Sequence, residues 1–210
     1  MSTGRLITIE GGEGVGKSTN VDLVRKCLES HGYDVLTTRE PGGTPLAEEI
    51  RSVLLTPRDE EVDALAETLL IFAARAQHVA RVVEPALRRG RWVLCERFTD
   101  STFAYQSGGR GVDAQVVAQL AHLAHPGVRP DLTLYLDAPV ATAMPRIVTR
   151  ALDRFERERQ QFFERVRRTY QLRASEHAHI VSIDASRDLQ TVQRDIVNAV
   201  ETFLSANEDA

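Results

Sequence analysis

Residues 11–18 read Gly-Gly-Glu-Gly-Val-Gly-Lys-Ser and fit the pattern G-x-x-x-x-G-K-[ST] in full. That pattern has a meaning only between a buried strand and the start of a helix, and both are present. Arg5-Leu6-Ile7-Thr8-Ile9 reads as a short strand ending at the glycines. Residues 18–30 read as a helix with Val21, Val24 and Leu28 at helical spacing and Gly32 as its stop. Glycines let the backbone curl until its N–H groups converge on an anion, and the positive end of the following helix adds to the attraction. Gly11, Gly12, Glu13, Gly14, Val15, Gly16, Lys17, Ser18 and Thr19 are therefore expected to cradle the phosphates of a nucleoside triphosphate. Lys17 bridges the β- and γ-phosphates in this reading, and the Ser18 hydroxyl ligates Mg²⁺.

Beyond the loop, strands are predicted at residues 34–38, 92–95, 132–136 and 180–183. Helices fall between them. Thr44 caps one that runs to about residue 55, with Pro45 in its first position. A long helix is expected over residues 63–89, with Leu65, Leu69, Phe72, Ala76, Val79 and Val83 on one apolar face and Pro85 bending its end. Further helices are expected at 113–125, at 139–150, at 154–175 and from Leu189 onward, with a frayed tail at 207–210. Strands that alternate with helices pair in parallel, since a parallel crossover needs a dozen or more residues. The expected architecture is a three-layer α/β/α P-loop NTPase fold with about five parallel strands, as a single domain over residues 1–210.

Composition removes several classes of function. Hydrophobic residues are 42% and charged residues 27% of the 210, as in an ordinary globular protein. No apolar run approaches the roughly 18 residues that span a bilayer, and the N-terminal residues lack the apolar stretch and cleavage site of a secretory signal. Cys27 and Cys95 share no CxxC spacing and are expected to be reduced thiols in a cytoplasmic protein. A net charge of −4 argues against a general nucleic-acid binder. Of 26 basic residues only Lys17 and Lys26 are lysines; the rest are arginines, whose planar forks suit phosphate.

A phosphate loop alone does not name a reaction. The guanine-specific NKxD sequence is absent, and the chain is short for oligomeric ATPase modules, which favours a small phosphotransferase. Three more clusters narrow it. Thr38-Arg39-Glu40-Pro41-Gly42-Gly43-Thr44 follows the second strand. Glu96-Arg97-Phe98 follows the third, with Ser101-Thr102 and Ala104-Tyr105-Gln106 just after it. Leu70-Ile71-Phe72-Ala73-Ala74-Arg75-Ala76-Gln77-His78 lies on the long helix. Together with the glycine loop these closely resemble bacterial thymidylate kinases, from Leu6 to the last helix.

The resemblance implies a homodimeric ATP:dTMP phosphotransferase of the nucleoside-monophosphate-kinase fold, with ATP as co-substrate, Mg²⁺ and a helical lid over about residues 144–158. Arg39, Arg97 and Arg51 are candidates for the acceptor phosphate, the first two lying just past strand ends, where open α/β sheets bind ligands. Glu13 is implied to face the acceptor, near its sugar hydroxyl or the metal-bound phosphates. Glu96 sits where a Walker B carboxylate approaches Mg²⁺ or its water, although the family usually has Asp there. Phe72 is preferred as the ring stacked on thymine, with Ile71 as the alternative, since many relatives place the phenylalanine four residues before the arginine. Arg75 is implied to bond a thymine carbonyl, with Ser101, Thr102 and Gln106 around the base and Tyr105 against the deoxyribose. With Val15 and Glu13 in its variable positions the loop has no arginine of its own, so a lid arginine, Arg150 or Arg154, is implied to supply transition-state charge. The sequence leaves rival readings: a kinase for another nucleoside monophosphate, a P-loop regulatory or assembly ATPase, or a catalytically dead scaffold, the last disfavoured by the intact Lys17 and Ser18.

Overall fold

The computed structural model describes residues 4–146 and 153–208. A five-stranded sheet lies at the centre, in the order β2-β3-β1-β4-β5, and every pairing is parallel. The strands are β1 (Leu6–Gly11), β2 (Val35–Arg39), β3 (Trp92–Glu96), β4 (Leu132–Asp137) and β5 (Ile180–Asp184). β1 is the middle strand, with Ile7 opposite Leu94 on one side and Leu132 on the other, and all six of its residues are buried. A strand covered on both faces must satisfy its polar groups internally. Thr8 does so through a 2.8 Å hydroxyl contact with Thr133.

α1 (Lys17–Ser30) and α9 (Leu189–Glu208) cover one face, packing Val24, Leu28, Val192, Ile196 and Val200 against the sheet. The other face carries α2 (Pro45–Leu55), α3 (Ala64–His78), α4 (Glu84–Arg88), α5 (Thr99–Thr102), α6 (Ala114–Ala124) and α8 (Gln160–Glu176). α7 (Val140–Ala143) follows β4 and runs into a 3-10 turn. The expected caps are in place: Thr44 Oγ1 accepts from the Ala47 amide at 3.2 Å, and Asp113 accepts from Gln115 at 2.8 Å.

Three expectations about helices change. The helix over 63–89 is not continuous, because α3 passes through a π turn at Val79–Val83 before α4. Pro85 has no N–H and its ring crowds the carbonyl four residues back. The ladder widens to five residues just before it, with the Glu84 amide donating to the Val79 carbonyl. The expected apolar face of α3 is also rotated. Leu65 and Leu69 are each 48% exposed, while Glu67, Thr68, Arg75 and His78 are buried. Periodicity assumes that apolar residues face inward, but here the polar stripe goes inside because other elements supply its partners: Gln106, Arg110 and Arg154 for Glu67, and Glu40 for both Arg75 and His78. Finally, α8 begins at Gln160 rather than near residue 154. Asp153 Oδ1 accepts from the amides of Phe155 and Glu156 at 2.9 Å each, offering those residues a turn in place of a helix.

Candidate active site

The C-terminal ends of β1, β2 and β3 open into a cleft of about 340 Å³. β1 leads into the phosphate loop, β2 into Glu40 and Pro41, and β3 into Glu96 and Arg97. The loop needs its glycines for space as well as dihedral freedom. Gly14 has φ +70°, and a Cβ there would lie 2.1 Å from the Ala143 carbonyl oxygen. Gly16, at φ +90°, turns the chain into α1.

Lys17 is buried, and its Nζ donates to the carbonyls of Gly12 at 2.5 Å and Gly11 at 3.1 Å. Burial pulls its pKa down to about 8, and the adjacent Arg97 cation adds to the effect. Ser18 Oγ donates to both oxygens of Glu96, at 2.9 and 3.1 Å. That pair offers two hard oxygen ligands beside a phosphate-binding loop, which suits Mg²⁺, a cation usually held by one or two protein oxygens with phosphate and water completing its shell. Among the described residues no three carboxylate, imidazole or thiol groups converge into a closed cage.

Arg97 has φ +67°, a left-handed conformation unusual outside glycine. Its guanidinium donates to Glu13 at 2.5 Å, the Gly11 carbonyl at 3.1 Å, and the hydroxyls of Ser101 and Tyr105 at 3.3 Å. Tyr105 also donates to Glu13 at 2.7 Å. Burial opposes Arg97's charge, but Glu13 together with Tyr105, Tyr170 and Glu10 outweighs it and holds the guanidinium firmly protonated. Such strain at a cleft marks a position fixed by its surroundings.

Deeper in the cleft Arg75 is 2% exposed. It donates to Glu40 at 2.6 Å, Thr102 at 2.9 Å and the Phe98 carbonyl at 3.1 Å, and its Nη1 has no hydrogen-bond partner. Gln106 Nε2 donates to Glu67 at 2.8 Å, while its Oε1 is buried and unpartnered. Arg51 lines the cleft and donates to the Pro41 carbonyl at 2.9 Å.

Three expected residues stand apart from this wall. Phe72 does not line the cleft; it is 4% exposed and packs with its ring centre 4.9 Å from the Arg75 guanidinium. Ile71 takes the wall position, because residues four apart share a helix face. Arg39 lies outside the lining too, in an ion pair with Glu48 at 2.9 Å, its side chain 52% exposed. Arg154 turns away from the phosphate loop: its Nε donates to the Leu54 carbonyl at 2.8 Å and its Nη2 to Glu67. Arg150, with the rest of residues 147–152 of the expected lid, lies outside the described residues.

Four functional features were missed. Glu10 is buried and accepts from the Phe98 amide and Ser101 hydroxyl at 2.6 Å and from Tyr170 at 2.9 Å, anchoring the loop that carries Arg97. Burial, with Asp100 nearby, raises its pKa to about 7. Glu40 bonds Arg75 on one oxygen and His78 at 2.9 Å on the other. Glu67 is fully buried as well. For Glu10 and Glu67 the available signal was an acid in an otherwise apolar strand or helix; Glu40 lies in the bend after β2, where its place in the Thr38–Thr44 cluster is the one sign of it. The fourth is a second cavity of about 340 Å³ across the phosphate loop, lined by Gly14, Gly16, Thr19, Arg146, Ala185 and Arg187 among others. Arg146 there donates to the Ala185 carbonyl at 3.2 Å.

The phosphate loop is thus a wall common to two cavities, so two ligands can meet at it end to end. That layout defines a P-loop kinase acting on a small acceptor. The chain belongs to the thymidylate kinase family, whose model matches residues 9–196. It is 54% identical over 204 residues to a thymidylate kinase of Teredinibacter turnerae, covering 96% of this chain and 100% of that one. It is 55% identical over 200 residues to one from Chromohalobacter salexigens, covering 93% and 94%. The crystal structure of thymidylate kinase from Ehrlichia chaffeensis superposes with a TM-score of 0.76 at 31% identity, over 94% of this chain and 99% of that one.

Proposed function

We propose that the chain transfers the γ-phosphoryl group of ATP to dTMP, giving dTDP and ADP. One observation carries the choice of acceptor. Two residues that line the cleft carry a buried donor, Arg75 Nη1, and a buried acceptor, Gln106 Oε1, neither with a protein partner. Buried polar groups are rarely left unpaired. A carbonyl beside a ring N–H, the O4 and N3–H of thymine, answers both.

In this reading the acceptor phosphate lies between Arg51 and Arg97, with the deoxyribose against Tyr105 and Glu13. ATP occupies the second cavity, its phosphates running through the loop amides to Lys17. Ser18 and Glu96 would hold Mg²⁺, which would neutralise phosphate charge. The acceptor oxygen attacks in line, and no covalent enzyme intermediate is needed. Positioning and charge stabilisation supply most of the acceleration in such reactions. Arg97 touches Glu13, Tyr105 and the phosphate loop, which suits it to hold the two phosphates at attacking distance. Arg150 is retained as the lid cation; the bonds of Arg154 to α2 and α3 suit it to hold the lid down instead.

The exposed Leu46 and Val53 of α2, with Leu65 and Leu69 of α3, support a homodimer through those helices. No helix among the described residues is long and apolar enough to cross a membrane, and we place the enzyme in the cytoplasm. A coupled ADP-release assay across dTMP, dUMP, dCMP, dAMP and dGMP tests the assignment. dTMP is expected to give the highest kcat/KM; faster turnover of any other acceptor overturns it.

A further inference from the structure

Glu67 does not line the cleft, yet it sets what the cleft presents. Its side chain is fully buried on α3. Oε1 accepts from Gln106 Nε2 at 2.8 Å and from Arg110 Nε at 3.3 Å, and Oε2 accepts from Arg154 Nη2. Arg154 comes from the segment before α8 and is held on α2 through its own amide, which donates to the Leu55 carbonyl at 3.1 Å. Arg110 also donates to Glu158 at 2.5 Å. Two guanidinium groups on opposite sides therefore fix the carboxylate in place.

A carboxylate ion has no proton to give, so only the NH₂ end of Gln106 can face it. Turning that amide over would set an oxygen against an anion and discard a charge-assisted hydrogen bond. Gln106 lines the cleft, and its oxygen, the end turned away from Glu67, is buried without a protein partner. Arg75 beside it can only donate. The edge therefore reads as one donor followed by one acceptor. A 4-oxopyrimidine matches it with a carbonyl and an N–H. A 4-aminopyrimidine presents the reverse, an NH₂ against Arg75 and a bare ring nitrogen against Gln106.

We infer that Glu67 is a positioning residue that sets base preference by holding the Gln106 amide in one orientation, and that Arg154 and Arg110 hold Glu67 in turn. The inference rests on the acceptor site proposed above. Glu67→Gln keeps the shape but replaces the anion with a group that can donate or accept, which frees Gln106 to turn. A site built to hydrogen-bond one partner rejects the mismatched one strongly, so the dTMP:dCMP ratio of kcat/KM is expected to fall by at least about tenfold in Glu67→Gln. KM for ATP is expected to stay within about twofold, because Glu67 is outside the second cavity.

A merely structural role would lower both acceptors together and leave the ratio alone; that result overturns the inference. Gln106→Met removes the amide while sparing both ion pairs and keeps the test decisive if Glu67→Gln fails to fold. It is expected to lose the same discrimination, and an unchanged ratio in this variant also overturns the inference. Wild-type enzyme that uses dCMP as well as dTMP would sink the acceptor assignment itself, a different failure from wild-type preference that survives Glu67→Gln.

Discussion

The lysine of the phosphate loop is expected to cost the free protein stability. Lys17 titrates at about 8 rather than 10.5 because burial disfavours its charge. The folded state therefore binds its proton less tightly than the unfolded chain. The penalty is fully present below the folded pKa and is relieved as pH rises from there toward 10.5. At about 1.4 kcal/mol per pKa unit, holding the charge at neutral pH costs roughly 3 kcal/mol. The two hydrogen bonds from Nζ to the Gly11 and Gly12 carbonyls offset about 1 kcal/mol each. Lys17→Met is thus expected to be about 1 kcal/mol more stable than wild type near pH 7, while losing at least about a hundredfold in kcat. Between about pH 7 and pH 9.5 the wild type is expected to gain roughly 2 kcal/mol relative to the variant, as the unfolded lysine loses its advantage. Urea unfolding of both proteins at the two pH values, at one protein concentration, measures this. A stability gap that does not move with pH would refute the reasoning, as would a variant that keeps wild-type turnover.

Other expectations follow from the same site. Carbon NMR of the Glu10 carboxyl is expected to show a midpoint near 7, since burial and Asp100 disfavour its charge; a midpoint near 4.5 contradicts the burial argument. Arg51→Ala is expected to raise KM for dTMP by about tenfold or more and to spare ATP, whereas Arg39→Ala, half-exposed and paired with Glu48, is expected to do much less; steady-state kinetics with equal effects would return Arg39 to the acceptor site. Leu69→Glu, on the exposed face of α3, is expected to yield monomers in sedimentation velocity, and an undisturbed dimer would move the interface elsewhere.

Much of this was legible in the chain itself because it depends on local rules. The glycine loop, the strand before it and the helix after it are read from spacing, and Thr44 and Asp113 cap where capping chemistry says they can. Apolar runs such as Leu132-Thr133-Leu134-Tyr135-Leu136 announce a buried parallel strand. What was not legible depends on distant partners. Nothing within α3 says that Glu67 and His78 face inward while Leu65 and Leu69 face out; that follows from Arg154, Gln106 and Glu40, far off in sequence. Chemical type favours Phe72 over Ile71 against thymine, but the setting of α3 turns Ile71 to the cleft wall and Phe72 into the core. A place at a strand end suggests a phosphate ligand in Arg39, but the chain turns there and Glu48 takes its guanidinium.

The central claim is that one loop holds two nucleotides at once, on its opposite sides. Calorimetric titration of dTMP into protein saturated with Mg²⁺ and an unreactive ATP analogue tests it most directly. One dTMP bound per chain, with the analogue retained, is the expected result; displacement of the analogue by dTMP would contradict the claim.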